Sequence, residues 1–307
     1  MLEILAGACG LGLMWAIVTM GIYLSYRVLD VADLSVEGSI VTGAAVAAVL
    51  LVDGANPYLA LAAATLAGAV AGLVTGILHT KLKIPALLAG ILTMIALYSV
   101  NIRIMGGTSN VSLLRTDTLL TPLLDAGMSK NNAAILAGGV AVIAVIAVIC
   151  WFLQTEFGCA LRATGNNPFM SKAQGINIDT ARIAGLALSN ALVGLAGGLL
   201  VQYQGFADVQ MGVGAIVIGL ASLIIGEVIF GRSSLLRSMI AVALGAIVYR
   251  VIIAMVLEAG MAATDLKLFT AVTVAVALYL PTGRKQLAQL RRRIVAKRAN
   301  AAGEGDA

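Results

Sequence analysis

The sequence predicts an all-α membrane protein with about nine transmembrane helices, or eight to ten depending on where each apolar segment is cut. Hydrophobic residues make up 60% of the 307-residue chain and charged residues only 11%, whereas soluble domains carry about 25% charged residues. Apolar segments long enough to cross a bilayer also recur along the whole chain. The expected spans are residues 4–24, 36–52, 58–78, 85–105, 133–153, 183–203, 213–230, 236–257 and 266–280.

The positions of lysine and arginine predict how the chain crosses the membrane. A net charge of +5 would suggest a nucleic-acid partner in a soluble protein, but in a membrane protein basic residues collect in cytoplasmic loops. Their alternation along the chain predicts that the N-terminus is outside, whereas the C-terminus and the loop at 155–182 are cytoplasmic. The basic tail over 284–307 is expected to bind anionic membrane lipid. No nucleic-acid partner is expected.

Several kinds of chemistry have no residues to carry them. His79 is the only histidine, and Cys9, Cys150 and Cys159 lack the spacing of metal ligands. The sequence has no Gly-x-x-x-x-Gly-Lys-Ser/Thr run to hold ATP phosphates and no Gly-x-Ser-x-Gly run to supply a serine nucleophile. We therefore expect no metal, no cofactor and no enzyme activity. Any ATP hydrolysis must take place on another chain.

Two short stretches, one in each half of the chain, resemble each other. An Ala-Asp pair at 32–33 precedes GSIVTGAA at 38–45, and an Ala-Asp pair at 207–208 precedes GAIVIGLA at 214–221, with a one-residue gap. The charge pattern predicts that the two copies enter the membrane from opposite sides. Inverted repeats of this kind are typical of transporters and indicate a solute path at their interface. The repeats would cover about residues 4–105 and 183–281.

Polar residues and glycines near the start of the repeated helices, and on one face of the fourth span, are candidates for lining that path. Asp33 or Ser35 could cap the second helix, or residues 35–39 could form a broken helix that lines a cavity. Thr93 and Asn101 fall near one helix face, where they could form interhelical hydrogen bonds or line the path. The candidates are Asp33, Ser35, Glu37, Gly38, Thr93, Tyr98, Asn101, Asp208, Gly212 and Gly214.

Two charged residues lie deep in apolar segments. Their positions in neighbouring spans place Glu227 and Arg250 at different depths in the membrane, so no direct ion pair between them is expected. We expect Glu227 to reach Arg232 or Arg237, and the long side chain of Arg250 to extend toward the membrane surface.

The polar segment over 156–182 is the longest cationic interval between two apolar spans. Its GNNP run at 165–168 predicts a turn and a helix start, and Gly175 predicts the end of a short helix over 169–174. The segment could be an ordinary solvated loop, but a small projecting helix with basic and apolar side chains suits docking to another protein. The candidate docking residues are Arg162, Gly165, Asn166, Asn167, Pro168, Phe169, Met170, Lys172, Gly175 and Ile176.

The same segment carries a resemblance to a known family. The run RATGNNP at 162–168, followed by a small-residue helix and Gly-Ile-Asn at 175–177, resembles the cytoplasmic loop of ABC-importer permeases. The most similar group is the branched-chain amino acid and ribose permease superfamily. The resemblance covers most of residues 33–281. It extends to three further stretches, at residues 33–39, at 89–93 with 101–106, and at 224–231.

The resemblance implies a permease domain over 1–283 in the bacterial inner membrane, followed by the cytoplasmic tail at 284–307. It also implies two copies of an ATP-binding subunit, a second permease copy that makes a homodimer, and an extracytoplasmic solute-binding protein. The expected solute is a small organic molecule such as a branched-chain or aromatic amino acid. A sugar or a nucleoside is the alternative.

Two other classes of protein remain compatible with the residues alone. Asp33 and Glu37 are four residues apart and would share one face of a helix if this segment is helical. That arrangement suits a secondary transporter that uses them as proton or sodium carboxylates. A membrane enzyme is the other class, although the sequence shows no grouping of a nucleophile with a base.

Overall fold

The described part of the chain folds into α-helices joined by loops, with one small β-ribbon. The computed structural model describes residues 2–114, 116–260, 265, 268–276 and 279. The helices are α1 (Leu2–Tyr23), α2 (Val36–Val52), α3 (Pro57–Thr80), α4 (Ala86–Ile104), α5 (Thr121–Asp125), α6 (Lys130–Gln154), α7 (Glu156–Asn166), α8 (Pro168–Ala173), α9 (Ile178–Gln204), α10 (Ala215–Phe230) and α11 (Leu235–Glu258). The antiparallel strands are β1 (Asn110–Ser112) and β2 (Phe206–Asp208).

Six of the described helices are long and apolar enough to cross a membrane. They are α3, α4, α6, α9, α11 and α1 together with the π-helical segment Leu24–Val28 that follows it. Two further apolar helices, α2 and α10, have 17 and 16 residues. The expected helical, multi-pass membrane protein is therefore confirmed, whereas the count of nine spans stays a prediction. The span predicted at 266–280 is described only in part, with residues 268–276 helical, and the predicted tail at 284–307 lies outside the described residues.

α9 lies at the centre of the bundle and packs against α1, α2 and α3. A Cβ on Gly43 would overlap the backbone of Gly194 in α9, and a Cβ on Gly72 would overlap the carbonyl of Leu186. Glycines therefore let α2 and α3 approach α9 at backbone distance, which is how helices associate in a medium as apolar as their side chains.

The outer helices present apolar side chains on their free faces. Leu66 in α3, Ile95 in α4 and Ile143 in α6 are each at least 60% exposed. α1 is the opposite case, because Ile17 and Met20 are wholly buried between α1 and its neighbours. Helices that are apolar on both their packed and their free faces are what a lipid environment requires.

The two shorter helices, α2 and α10, begin inside the bundle rather than at its ends. Asp33, just before α2, bonds to Asn190 near the middle of α9. Gly212, just before α10, packs against the carbonyl of Glu37 in the first turn of α2. Each short helix thus follows a long helix and a non-helical stretch, and the N-termini of the two short helices meet in the interior.

The loop between α6 and α9 contains two helices where one was predicted. α7 continues through Asn166, so the turn predicted over 165–168 is wrong, and only the extended residue Asn167 separates α7 from α8. Gly165 is helical, and a Cβ there would overlap the carbonyl of Val28 in α1's π-helical extension. The predicted helix start is confirmed, because the Asn167 side chain accepts a hydrogen bond from the first turn of α8 at 3.0 Å.

Candidate functional site

The N-termini of α2 and α10 are joined by one side chain. Glu37, in the first turn of α2, accepts a hydrogen bond at Oε1 from the N–H of Gly214, 3.1 Å away. Gly214 is the N-cap of α10 and has a left-handed backbone, with φ +82°, a conformation that favours glycine. The carboxylate therefore meets the unpaired N–H groups and the positive dipole end of α10.

A cavity of about 480 Å³ lies beside this junction, within the usual size range of small-molecule sites. Its walls come from α2, α4 and the stretch before α10, and they are mainly apolar. Four of the predicted pathway residues meet here. The lining residues are Glu37, Gly38, Val41, Met94, Ile95, Tyr98, Ser99, Asn101, Val209 and Val213.

Asp33 lies apart from that cavity, in a buried hydrogen-bond network. Its carboxylate accepts from the N–H and hydroxyl of Ser35, at 2.9 and 2.6 Å, and from Nδ2 of Asn190 at 2.7 Å. The Ser35 side chain makes no capping bond to α2, so Asp33 is the one of the two that binds an N–H at the helix start. Asp33 and Glu37 do not share a helix face, because α2 begins only at Val36 and the segment at Asp33 is not helical.

The polar residues predicted on one face of α4 have two different roles: one contacts another helix, and two line the cavity. The Thr75 hydroxyl of α3 donates to the Thr93 hydroxyl over 3.0 Å, which makes Thr93 a helix-to-helix contact. Asn101 donates from Nδ2 to the carbonyl of Gly38, 3.3 Å away, and also lines the cavity. Tyr98 is 55% exposed and lines the same cavity.

Two of the predicted residues of the second half, Asp208 and Gly212, shape the chain before α10 rather than line the cavity. Asp208, at the end of β2, accepts a hydrogen bond from the N–H of Gln210 over 2.7 Å. Gly212 allows this stretch to pack closely on α2. The residues of the stretch that do line the cavity are Val209 and Val213, which the sequence did not indicate.

Charged side chains form a cluster where α1 ends. Glu227 of α10 accepts a hydrogen bond from Nε of Arg27 over 3.0 Å and lies 3.9 Å from Arg232. The contact with Arg232 was predicted, and the contact with Arg27 was not. Arg237 donates instead to the carbonyl of Phe230, 3.0 Å away.

Arg250 lies at a contact between α11 and α1. Its Cζ atom is 4.3 Å from the ring centroid of Trp15, a cation–π geometry. As expected, Arg250 does not pair with Glu227, whose partners are Arg27 and Arg232 near the C-terminal end of α10.

The inner side of the α7–α8 loop rests on the segment that leaves α1. Gly165 packs on the carbonyl of Val28, and Leu161 of α7 and Leu29 both lie against Gly185 of α9. Leu161 and Leu29 are buried. α7 is therefore in direct contact with the chain that runs from α1 to the start of α2.

The outer side of this loop is exposed. Phe169 and Met170 are 87% and 62% exposed although both are apolar. Lys172 is also exposed, and Arg162 is exposed with Nη2 3.2 Å from Sγ of Cys159. The exposed residues of this loop thus include two large apolar side chains and two basic ones.

The other predicted docking residues build the loop. Asn167 caps α8 and Pro168 occupies its first turn. Gly175 follows α8 with φ +81°, and Ile176 is half-buried. Asn166 ends α7 and is exposed.

Sequence reasoning missed Asn190, Ser99 and Arg27. Asn190 is the partner that holds Asp33, and a signal was available, because an amide in the middle of an apolar helix needs a partner. Ser99 is an exposed cavity residue whose role no spacing rule indicates. Among the described residues, no group of three or more His, Cys, Asp or Glu side chains could hold a metal ion.

The fold and the site define a class of protein. Broken or short helices that meet inside a membrane bundle, beside a cavity of small-molecule size, are typical of transporters. A multi-pass helical protein with this arrangement is therefore a solute permease by architecture.

Comparison with known proteins identifies the family. The family described as "Branched-chain amino acid transport system / permease component" matches residues 4–278. The chain belongs to this family of ABC-importer permeases, multi-pass membrane proteins that in bacteria lie in the inner membrane.

Three relatives illustrate its range. The chain is 40% identical over 271 residues to the tyrosine transport system permease protein of Clostridioides difficile, covering 88% of each chain. It is 27% identical over 211 residues to the probable branched-chain amino acid transport permease protein LivH of Methanocaldococcus jannaschii, covering 64% of this chain and 65% of the relative. It is 29% identical over 207 residues to the autoinducer 2 import system permease protein LsrC of Escherichia coli K12, covering 66% and 56%. No solved structure matches.

Proposed function

We propose that the chain is the transmembrane subunit of an ATP-driven importer and that the cavity beside Glu37 is part of its solute path. The observation that carries the proposal is a packing contact: α7 lies against the chain segment that leads from α1 to the cavity. The sequence itself has no run that could hold ATP phosphates, so the energy must enter through another chain. A partner that moves the α7–α8 loop would act on the path through this contact.

The connection from the loop to the cavity is short. Val28, on which Gly165 packs, is followed five residues later by Asp33. Asp33 is held to α9 by Asn190, and the next helix carries Glu37 into the cavity. Because the segment is anchored at both ends, a displacement of α7 must either move the start of α2 or break one of these contacts. A contiguous, packed connection of this kind is a physical basis for coupling.

The partner on the loop is proposed to be an ATP-binding subunit, present in two copies. Phe169 and Met170 offer a large apolar anchor, and the same loop carries the exposed basic residues Arg162 and Lys172. Buried aromatic anchors within a polar rim are the usual form of an interface hot spot. An apolar groove with acidic residues at its edge would fit this surface.

An inverted repeat is proposed on the basis of two matching local structures. Asp33 accepts a hydrogen bond from the N–H of Ser35, and Asp208 accepts one from the N–H of Gln210. Each aspartate follows a long helix and precedes a short one, as the aligned Ala-Asp pairs require. The orientation is proposed from the charge pattern, with the N-terminus outside and the α7–α8 loop cytoplasmic.

The remaining partners follow from exposed surfaces. Ile95, Tyr98 and Val213 line the cavity and are exposed, so we propose that a second, identical permease copy completes the path there. The β1–β2 ribbon, on the proposed outer side, would face an extracytoplasmic solute-binding protein. Lipid covers the apolar free faces of α3 and α6.

The proposed solute is an amino acid of aromatic or branched-chain type. The mainly apolar cavity walls favour such a side chain over a sugar or nucleoside, whose hydroxyl groups would each need a hydrogen-bond partner. The rival cation-coupled mechanism has less support, because Asp33 is already occupied by three donors. Glu37 would then have to act alone.

The test is uptake by the assembled transporter. The chain is purified with the ATP-binding subunit that copurifies from native membranes, and both are reconstituted in proteoliposomes with the solute-binding protein. Labelled L-tyrosine, L-leucine and ribose are then supplied with ATP inside or outside. Amino acid uptake that needs ATP and is unaffected by an uncoupler is expected. Uptake without ATP that an uncoupler abolishes would replace the proposal with the cation-coupled rival.

A further inference from the structure

We propose that Glu37 and the Oδ1 atom of Asn101 bind a primary ammonium group of the solute inside the cavity. The inference rests on the proposed function, because it assigns a chemical group to the same cavity. The ligand class is a molecule that carries an ammonium group next to an apolar or aromatic side chain. Asn101 and Glu37 come from α4 and α2, so the site needs both helices.

The first observation is an unpaired acceptor. Asn101 is only 1% exposed and lines the cavity. Its Nδ2 faces the carbonyl of Gly38, which can only accept, and this contact fixes the orientation of the amide. Oδ1 is left with no hydrogen-bond partner among the described residues. Buried polar atoms are nearly always paired, so this oxygen points to a donor that the protein does not itself supply.

The second observation is the charge of the lining. Of the ten residues around the cavity, only Glu37 is charged. One of its carboxylate oxygens, Oε1, accepts from Gly214, and the carboxylate retains acceptor capacity for a ligand. Glu37 thus supplies the one charge among these ten lining residues, none of which is a lysine or arginine. The unpaired amide oxygen of Asn101 belongs to the same wall.

The shape of the ligand follows from these groups. An ammonium has three donors and no acceptor, so it can satisfy Glu37 and Asn101 at the same time. The ring of Tyr98 adds a π face on which cations are favoured. Apart from the hydroxyl of Ser99, the rest of the wall is aliphatic or carries a thioether, which suits an apolar side chain attached to the ammonium.

The experiment measures protection of a single cysteine in the full-length permease in membranes. Ser99→Cys is placed in a background in which Cys9, Cys150 and Cys159 are replaced by alanine, and its rate of alkylation by a maleimide is followed. Phenethylammonium is the probe, and 3-phenylpropionate, which has the same ring and the opposite charge, is the matched control. Ser112→Cys, on β1 and away from the cavity, reports any nonspecific effect.

Phenethylammonium is expected to slow alkylation of Ser99→Cys, whereas 3-phenylpropionate is not. Glu37→Gln, which keeps an acceptor for Gly214, and Asn101→Leu are each expected to raise the concentration for half-protection about tenfold. The half-protection concentration of Glu37→Gln is compared with that of the parent only if both proteins unfold at the same temperature. Asn101→Leu tests the site independently of Glu37.

Three results would overturn the inference. They are equal protection by both compounds, protection unchanged in both variants, and a Ser99→Cys that does not react with the reagent at all. These results can be distinguished from a failure of the proposed function, which is tested by uptake. If the assembled transporter takes up amino acids but neither variant changes protection, the function stands and the ammonium site fails.

Discussion

The carboxylate of Glu37 and the backbone N–H of Gly214 are 3.1 Å apart, although 177 residues separate them in the chain. This single hydrogen bond joins the first turn of α2 to the N-cap of α10. It needs a backbone at Gly214 that turns through the left-handed region, so that the N–H points at the carboxylate. The two short helices are therefore held end to end beside the cavity by one side chain and one glycine.

Gly214→Ala is expected to reduce solute uptake as well as stability. A Cβ in the left-handed region costs about 1–2 kcal/mol, and relief of that strain would turn the N–H away from Glu37. Gly54→Ala is the matched control, because Gly54 has φ +81° and open space around it, far from the junction. Both variants should unfold at lower temperature, and only Gly214→Ala should lose uptake in proteoliposomes. Equal uptake in the two would contradict a role of the junction in transport.

Asp33→Ala is expected to destabilise the protein more than Asp33→Asn. Alanine leaves the Ser35 N–H without an acceptor and takes one acceptor from the Ser35 hydroxyl and one from the Asn190 amide, and a buried unpaired group costs about 1–3 kcal/mol. Asparagine keeps one acceptor oxygen for the N–H of Ser35. Asp53→Ala, at the exposed end of α2, should change the free energy of unfolding by less than about 0.5 kcal/mol. An equal loss in Asp33→Asn and Asp33→Ala would mean that the charge itself is needed.

Arg27→Gln is expected to destabilise the contact between α1 and α10 by about 1–2 kcal/mol, because it removes two donors from the Glu227 carboxylate. The side chain of Glu227 is only 9% exposed, so few waters can replace them. Arg232→Gln is the matched control, since its contact with Glu227 is 3.9 Å long and its side chain is 63% exposed. Such an exposed pair contributes less than about 1 kcal/mol. Chemical unfolding in detergent measures the free energy of unfolding of both variants. An equal loss in Arg27→Gln and Arg232→Gln would contradict the conclusion that Arg27 is the more important partner of Glu227.

Apolar length and helix-capping residues predicted most of the helices. The span expected at 58–78 is α3 (Pro57–Thr80), and the one expected at 183–203 lies inside α9 (Ile178–Gln204). The helix start in the GNNP run was correctly predicted, because a cap such as Asn167 acts on residues only a few positions away. Sequence rules therefore predict a contact correctly when the two residues are close together in the chain.

The errors and omissions concern partners that are distant in the chain. Asn190 lies 157 residues from Asp33, and Arg27 lies 200 residues from Glu227, so neither contact could be derived from spacing. Gly165 illustrates the same limit. A glycine that makes a turn and a glycine that admits another backbone look identical in sequence, and only the contact with Val28 distinguishes them.

The proposed orientation predicts which loops a membrane-impermeant maleimide reaches in intact cells. In a background without cysteine, Ser112→Cys on β1 should be labelled from outside, whereas Lys172→Cys on α8 should be labelled only after the membrane is opened. Both positions are exposed, so a difference in labelling reflects sidedness. Ser171 is buried and is unsuitable as the inner site. Labelling of Lys172→Cys from outside would invert the topology.

Gly165→Ala is expected to uncouple ATP hydrolysis from the solute, because the added methyl would overlap the Val28 carbonyl and push α7 off the end of α1. Overpacking of this kind costs about 1–3 kcal/mol, and as a coupling energy that range corresponds to about 5- to 150-fold. Gly139→Ala adds the same methyl inside α6, where nothing lies within 4 Å, and should leave coupling unchanged. The measurement is ATP hydrolysis stimulated by the solute, in proteoliposomes that contain the permease variant and its partners. A pull-down of the ATP-binding subunit with each variant is made in parallel. Gly165→Ala should lose stimulation by at least about fivefold while the permease remains inserted. If it keeps both stimulation and the bound subunit, α7 does not transmit the signal and the packing contact with Val28 is structural alone.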